Sequence, residues 1–240
     1  MKFLKPFSLL AAASLLAACA HAPPDDPRDP IEPFNRAMFS FNRTADKYVL
    51  RPVASGYQKI TPEIAQRGFS NFFDNLDEPR TIINDLLQIK VVQAASDTGR
   101  FLLNTTAGLA GFLDVATGAG LPKHDEDFGQ TLGHYGIGEG WYLMLPLLGP
   151  TSNRDFIGRV GDYPTGPTAY IQNPGNYVYT GTNLVDKRAR FLSADSVIDN
   201  AIDPYVFVRT AYLQQRLSKV YDGSPPAKLM YGDGSDEDAP

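Results

Sequence analysis

The chain has almost none of the residues that build metal centres and disulfide frameworks. It carries one Cys and three His in 240 residues. One Cys permits no intrachain disulfide and no multi-cysteine zinc or iron–sulfur site. No HExxH and no Cys–His finger spacing occurs, so neither cofactor nor metal is expected. Catalytic signatures are also missing. There is no Gly-x-Ser-x-Gly elbow, no Ser-x-x-Lys pair and no Walker loop. Ser96, followed by Asp97, lies in no such turn. Positive charge is scarce too: the net charge is −5, which argues against holding nucleic acid by charge. What is present is ordinary for a globular chain, with 43% apolar and 20% charged residues.

The first residues point to a compartment. Lys2 and Lys5 precede an apolar stretch, Ser8 to Ala18, rich in Leu and Ala. That is a signal-peptide pattern, too short for a spanning helix of about 20 residues. It ends Leu16-Ala17-Ala18-Cys19, which resembles the bacterial lipobox, where cleavage frees a Cys that receives lipid. The only Cys stands where that chemistry needs a thiol. Losing residues 1–18 removes two lysines and makes the mature chain more acidic still. Ala20, where Asp would signal inner-membrane retention, favours the outer membrane.

Four segments are expected: a leader at 1–18, a lipidated Cys and Pro-rich spacer at 19–33, a helical domain at 34–222 and a disordered acidic tail at 223–240. The spacer holds Pro23, Pro24, Pro27, Pro30 and Pro33. In the domain, Phe34, Met38, Phe41, Ala45 and Tyr48 recur at helical spacing, stopping near Arg51-Pro52. Thr61-Pro62-Glu63 reads as a helix start, with Thr61 as cap. Ile64, Gly68, Phe72 and Leu76 share a face, and Pro79 is expected to break that helix. Another follows through Ile82, Ile83, Leu86 and Leu87. Residues 146–182, full of Pro and Gly, read as loops and short turns. Asp203-Pro204 opens a late helix to about Tyr221, ended by Gly223 and Pro225. Few strands are expected.

Phe101 to Leu121 holds no Lys or Arg and one charge, Asp114. Leu109, Phe112, Leu113 and Ala116 follow helical spacing. A buried core helix, a transmembrane helix, and a helix or hairpin lying in one leaflet all fit. Gly133, Gly136, Gly138 and Gly140 form a glycine run without the dinucleotide-binding spacing. His124-Asp125-Glu126-Asp127 reads as a charged turn rather than a metal site, and His134 beside Tyr135 as a structural histidine.

Several stretches resemble the MlaA (VacJ) family of outer-membrane lipoproteins. They are Asp29-Pro-Ile-Glu-Pro-Phe-Asn-Arg-Ala-Met-Phe-Ser-Phe-Asn42, Tyr48-Val-Leu-Arg-Pro-Val-Ala54, Gly68-Phe-Ser-Asn-Phe-Phe-Asp-Asn-Leu-Asp-Glu-Pro79, Arg100-Phe-Leu-Leu-Asn104, Gly111-Phe-Leu-Asp-Val-Ala116, Phe128-Gly-Gln-Thr-Leu-Gly-His-Tyr-Gly-Ile-Gly138 and Asp203-Pro-Tyr205. The resemblance implies a mostly α, ring-shaped helical protein embedded in the inner part of the outer membrane, with an amphipathic channel. It implies removal of mislocalised phospholipids from the outer leaflet, beside a trimeric porin, and delivery to a periplasmic carrier. Arg154, Asp155, Arg159, Asp162, Asp186, Lys187, Arg188 and Arg190 are the expected channel wall, and the four glycines the expected gate. The competing classes are a lipoprotein phospholipase or acyltransferase, which needs an activated nucleophile, and a structural surface lipoprotein.

Overall fold

A computed structural model describes residues 26–231. The leader, Cys19, the spacer up to residue 25 and the tail from 232 lie outside the described residues. Helix α1 spans Glu32–Ala45, with Pro33 in its first turn, Glu32 at its positive end and Arg43 at its negative end. Arg51-Pro52 does not stop it. A π-helical turn, Asp46–Leu50, leads into α2, Arg51–Ile60, and the Arg51 N–H donates five residues back to the Asp46 carbonyl. Pro52 thus falls in a first turn, where proline is tolerated, and the π turn absorbs the change in register.

Helix α3 covers Glu63–Leu87 and contains Pro79 without breaking. The buried neighbours Asn75, Glu78 and Thr81 hold it from both sides, and that packing outweighs the about 3 kcal/mol an interior proline costs. Pro62, not Thr61, stands at its boundary, and no side chain caps it. After a short turn through left-handed Ile89 (φ 63°), α4, Val91–Thr106, folds back on α3 in the most extensive pairing of the molecule. A one-turn α5 (Val115–Gly118) and α6 (Phe128–His134) follow, each begun by an Asp, Asp114 and Asp127, whose carboxylate accepts a backbone N–H.

A small antiparallel hairpin comes next, β1 (Tyr142–Leu145) with β2 (Gly149–Ser152), in register Tyr142 to Ser152. Ser152 then caps α7, Asn153–Asp162. Two 3-10 turns lead to α8 (Gly175–Arg190), and α9 (Asp195–Asp199), α10 (Pro204–Val220) and α11 (Ala227–Tyr231) complete the described residues. The region 146–182 is therefore more regular than its Pro and Gly content suggested. One of its glycines serves packing: a Cβ on Gly158 of α7 would strike the Gly129 backbone of α6, so glycine lets the two helices touch.

Residues 26–33, grouped with the spacer, are part of the fold. Asp29 is fully buried. Its carboxylate accepts from Arg209 at 2.7 Å, from Asn35 at 2.7 Å and from the Tyr205 hydroxyl. The Arg28 carbonyl accepts the Tyr142 N–H.

The interior is largely polar. One apolar cluster, Tyr142, Met144, Tyr205 and Leu213, has Met38 and Phe39 of α1 packed against it. Elsewhere many buried side chains are polar, among them Thr81, Asn84 and Asp85 on α3, and Asp97, Arg100 and Asn104 on α4. Parts of the apolar faces found from helical spacing point outward, although Met38 packs on the apolar cluster and Gly68 is buried. Ile83, Leu86, Leu87 and Ile64 are exposed on α3, and Phe41 and Tyr48 on the first helical segment, while Asn35 of α1 is buried.

The 101–121 stretch also turns apolar side chains outward. Helix α4 ends at Thr106, and Leu109, Ala110 and Gly111 all have positive φ, so no helix continues through Leu109 to Ala116. Leu102, Leu103, Leu109, Phe112 and Leu113 are exposed, which overturns the core-helix reading. No described helix is long and apolar enough to cross a membrane. Beneath this apolar lip lies a polar network. Buried Arg100 donates to the Leu121 carbonyl at 2.6 Å, to Thr117 at 3.1 Å and to Asp114 at 3.2 Å. Asn104 donates to Asp114 and accepts the Ala116 N–H.

Candidate functional site

Helix α1, the π turn, the β1–β2 turn, the end of α8 and α9 surround a cleft of about 920 Å³. One part of its wall is apolar: Leu50, Leu147, Leu148, Leu184, Phe191 and Ile198. The other is a ladder of ion pairs. Arg188 donates to Asp46 at 2.6 Å and to Asp195 at 2.9 Å. Arg51 reaches Asp195 at 2.7 Å and Asp199 at 3.1 Å, and Arg43 closes the row on Asp199 at 2.6 Å. Hydrogen bonds to Asp46 and then Asp195 raise the Arg188 pKa. Those to Asp195 and Asp199 raise that of Arg51. Burial pushes Asp195 up, but Arg188 and Arg51 outweigh it and hold the carboxyl below its usual range. Arg188, Arg51 and Asp195 are thus held in their charged forms.

Two further cavities share walls with this cleft. One of about 790 Å³ also uses Arg51, Asp195 and Asp199. Another of about 370 Å³ shares Leu184 and Lys187 and adds Asp77, Arg80, Arg159 and Asp162. In it, burial raises the Asp162 pKa, against the Phe128 N–H and the Asn84 amide that donate to its carboxylate.

Of the expected wall, the structure brings Lys187 and Arg188 to the main cleft and Arg159, Asp162 and Lys187 to the smallest cavity. Arg154, Asp155, Asp186 and Arg190 line none of these three cavities. Arg154 and Asp155 are buried beside Arg216 of α10, and Arg216 lies 2.8 Å from Asp155. Asp186 accepts from Ser70 of α3 at 2.9 Å and pairs with Arg190 at 3.1 Å. Arg43, Asp46, Arg51, Asp195 and Asp199 were missed. Their helical spacing carried a signal, since Arg43, Asp46 and Lys47, then Arg51, recur every three to four residues, as do Asp195 and Asp199.

The four glycines differ. Gly133 is inside α6, where a Cβ would lie 2.8 Å from Val220 of α10. Gly136 ends that helix with φ 84°. Gly140, at φ 72°, abuts Asn153, and Gly138 stands in open space. The His124–Asp127 run disperses: His124 meets Asp97 at 2.9 Å, Asp125 takes Lys219 at 2.6 Å, Glu126 takes Lys90 at 3.0 Å and Asp127 takes Arg216 at 2.6 Å. Among the described residues, no group of three His, Cys, Asp or Glu could hold a metal ion. His134 is exposed and stacks edge-on against Tyr135 at 5.2 Å.

A charged cleft inside a molecule whose apolar faces point outward has close relatives. The family model described as MlaA lipoprotein matches residues 27–219. This chain belongs to the MlaA lipoprotein family. Its relatives include the intermembrane phospholipid transport system lipoprotein MlaA of Escherichia coli (strain K12), 38% identical over 87% of this chain and 85% of that one. The protein so named in Haemophilus influenzae is 35% identical over 93% of both chains. A solved MlaA-like structure, described as the structural basis for maintenance of bacterial outer membrane lipid asymmetry, superposes with a TM-score of 0.71. It is 37% identical and covers 82% of this chain and 99% of that one. The mostly helical architecture is thus that of the MlaA family.

Proposed function

We propose that this chain is the lipoprotein of an intermembrane phospholipid transport system. It takes phospholipids misplaced in the outer leaflet of the outer membrane and passes them inward, so that lipid asymmetry is kept. The observation that carries this reading is the main cleft, with a charged ladder on one wall and leucines on the other. A phospholipid has the same two-part chemistry. Moving its headgroup through hydrocarbon is very costly; a wall of fixed charges lowers that barrier, while the acyl tails stay against apolar surface. The exposed apolar residues of α3, α4 and the 107–113 loop suit insertion among acyl chains, and the buried polar network keeps the backbone there satisfied.

On this reading the mature protein is held by lipid on Cys19 at the periplasmic side of the outer membrane. It sits beside a trimeric porin in a ring-shaped arrangement and hands its cargo to a soluble periplasmic carrier. The work is transfer and not catalysis, and any direction is imposed by the partners. Gly136 and Gly138 are proposed to let the 135–141 segment move as a gate. Outer-leaflet phospholipid, measured in cells with and without the gene, tests the proposal. It is expected to rise on deletion, to fall again with the wild-type gene, and to stay high with Cys19→Ala. An unchanged outer leaflet would favour a structural role instead.

A further inference from the structure

Resting on the transport reading, we infer that the cleft selects zwitterionic headgroups, those with a phosphate and an ammonium group, over headgroups whose only charge is the phosphate. The ladder of ion pairs carries the selectivity. Asp46, Arg188, Asp195, Arg51, Asp199 and Arg43 form one unbroken row in which cation and anion alternate, every contact lying between 2.6 and 3.1 Å. The row has three charges of each sign and therefore no surplus of its own. Its outer end is open, with Arg43 44% and Asp199 40% exposed, while Arg188 at the inner end is only 13% exposed.

A phosphate entering such a row binds by displacing a carboxylate from an arginine. The freed aspartate then has lost its partner in a partly desolvated wall, and an unpaired charge there is expensive. A headgroup carrying its own ammonium group gives the displaced aspartate a new partner. The phosphate bridges Arg43 and Arg51, the ammonium takes Asp199, and no charge is left unpaired. A headgroup ending in hydroxyls offers only neutral hydrogen bonds, which are about half as strong as charge-assisted ones. Lys47 and Lys187 also line the cleft. They attract any phosphate equally and so raise affinity without discriminating. The apolar wall likewise sees the same tails in both lipids.

The test uses the purified full chain and two short-chain lipids with identical tails, dihexanoyl phosphatidylethanolamine and dihexanoyl phosphatidylglycerol, below their micelle concentrations. Calorimetric titration is expected to show about tenfold tighter binding of the ethanolamine lipid, the ratio that one charge-assisted contact gives. Asp199→Asn, a conservative change at a half-exposed site, is expected to bring the two affinities together, because the phosphate then displaces no carboxylate and the ammonium group finds no anionic partner. Glu63→Gln, an exposed carboxylate that lines none of the three cavities, is the control and is expected to keep the preference. Equal binding of both lipids to the wild type, or a preference unchanged in Asp199→Asn, overturns the selectivity while leaving transport standing. Binding of neither lipid counts against the cleft as a phospholipid path, and the selectivity falls with it.

Discussion

At the residue scale, the buried charges of the α3–α4 pair are the most exposed to experiment. Asp85 is fully buried, and neither of its carboxyl oxygens receives a hydrogen bond. Burial, followed by the neighbouring Asp97, pushes its pKa up to about 8. A protonated Asp85 can donate to Asp97, so the proton supplies the missing partner. Burial also raises Glu78 to about 7, and Asp97 adds to the effect. A carboxyl whose folded pKa lies above its unfolded value near 4 stabilises the fold at low pH, and loses that contribution as pH rises through the folded pKa. Stability is therefore expected to fall between pH 5 and pH 8. Asp85→Asn, neutral throughout, is expected to flatten that slope and to gain about 1–2 kcal/mol at pH 8. Denaturant melts across this range check it, and an unchanged slope refutes it. Arg100 makes the opposite case. It is 2% exposed and holds Glu78, Asp114 and the Leu121 carbonyl. Arg100→Met leaves two carboxylates short of a partner and is expected to cost about 3–5 kcal/mol in the same melts.

At the element scale, glycine positions separate packing from motion. Gly133→Ala drives a Cβ into Val220 across the α6–α10 contact and is expected to destabilise by about 1–3 kcal/mol. Gly136→Ala meets no neighbour but must adopt φ 84°, at about 1 kcal/mol. Gly138→Ala meets neither obstacle and is expected to leave thermal stability unchanged, so any transport loss in it reports on the 135–141 segment itself. Element by element, the sequence was informative about where helices lie and poor on how they end. The Asp203-Pro204 start was legible because Asp203 caps α10 locally, accepting the Tyr205 and Val206 N–H groups. Arg51-Pro52 and Pro79 misled, because a π turn and buried packing are tertiary answers to a local penalty. Leu109 fits helical spacing in the sequence yet has positive φ, because left-handed backbone at a non-glycine leaves no mark on hydrophobic spacing.

At the scale of the whole molecule, hydrophobic spacing alone does not say which side of a helix is inside. A stripe of Ile83, Leu86 and Leu87 identifies an amphipathic helix equally well whether the stripe faces a core or a bilayer. What settles the side is what the opposite face meets, and here Thr81, Asn84 and Asp85 are buried. Half of the cleft was hidden for a related reason: Arg43 and Arg51 lie more than 140 residues from Asp199 and Asp195, so only the fold brings them together. The outward apolar faces imply membrane affinity without the anchor. Mature-length Cys19→Ala protein, made without residues 1–18, is expected to float with phospholipid vesicles and to remain bound at high salt, because apolar insertion is not screened as charge attraction is. Release at high salt would mean that charge holds it instead. The most direct test of the account is to plug the path. Leu184 lines both the main cleft and the smallest cavity and makes no ion pair. In cells lacking the gene, outer-leaflet phospholipid is measured after supplying either the wild type or Leu184→Trp at equal protein levels. The account predicts that the wild type clears the outer leaflet and Leu184→Trp does not; clearance equal to wild type by a correctly folded Leu184→Trp protein would contradict it.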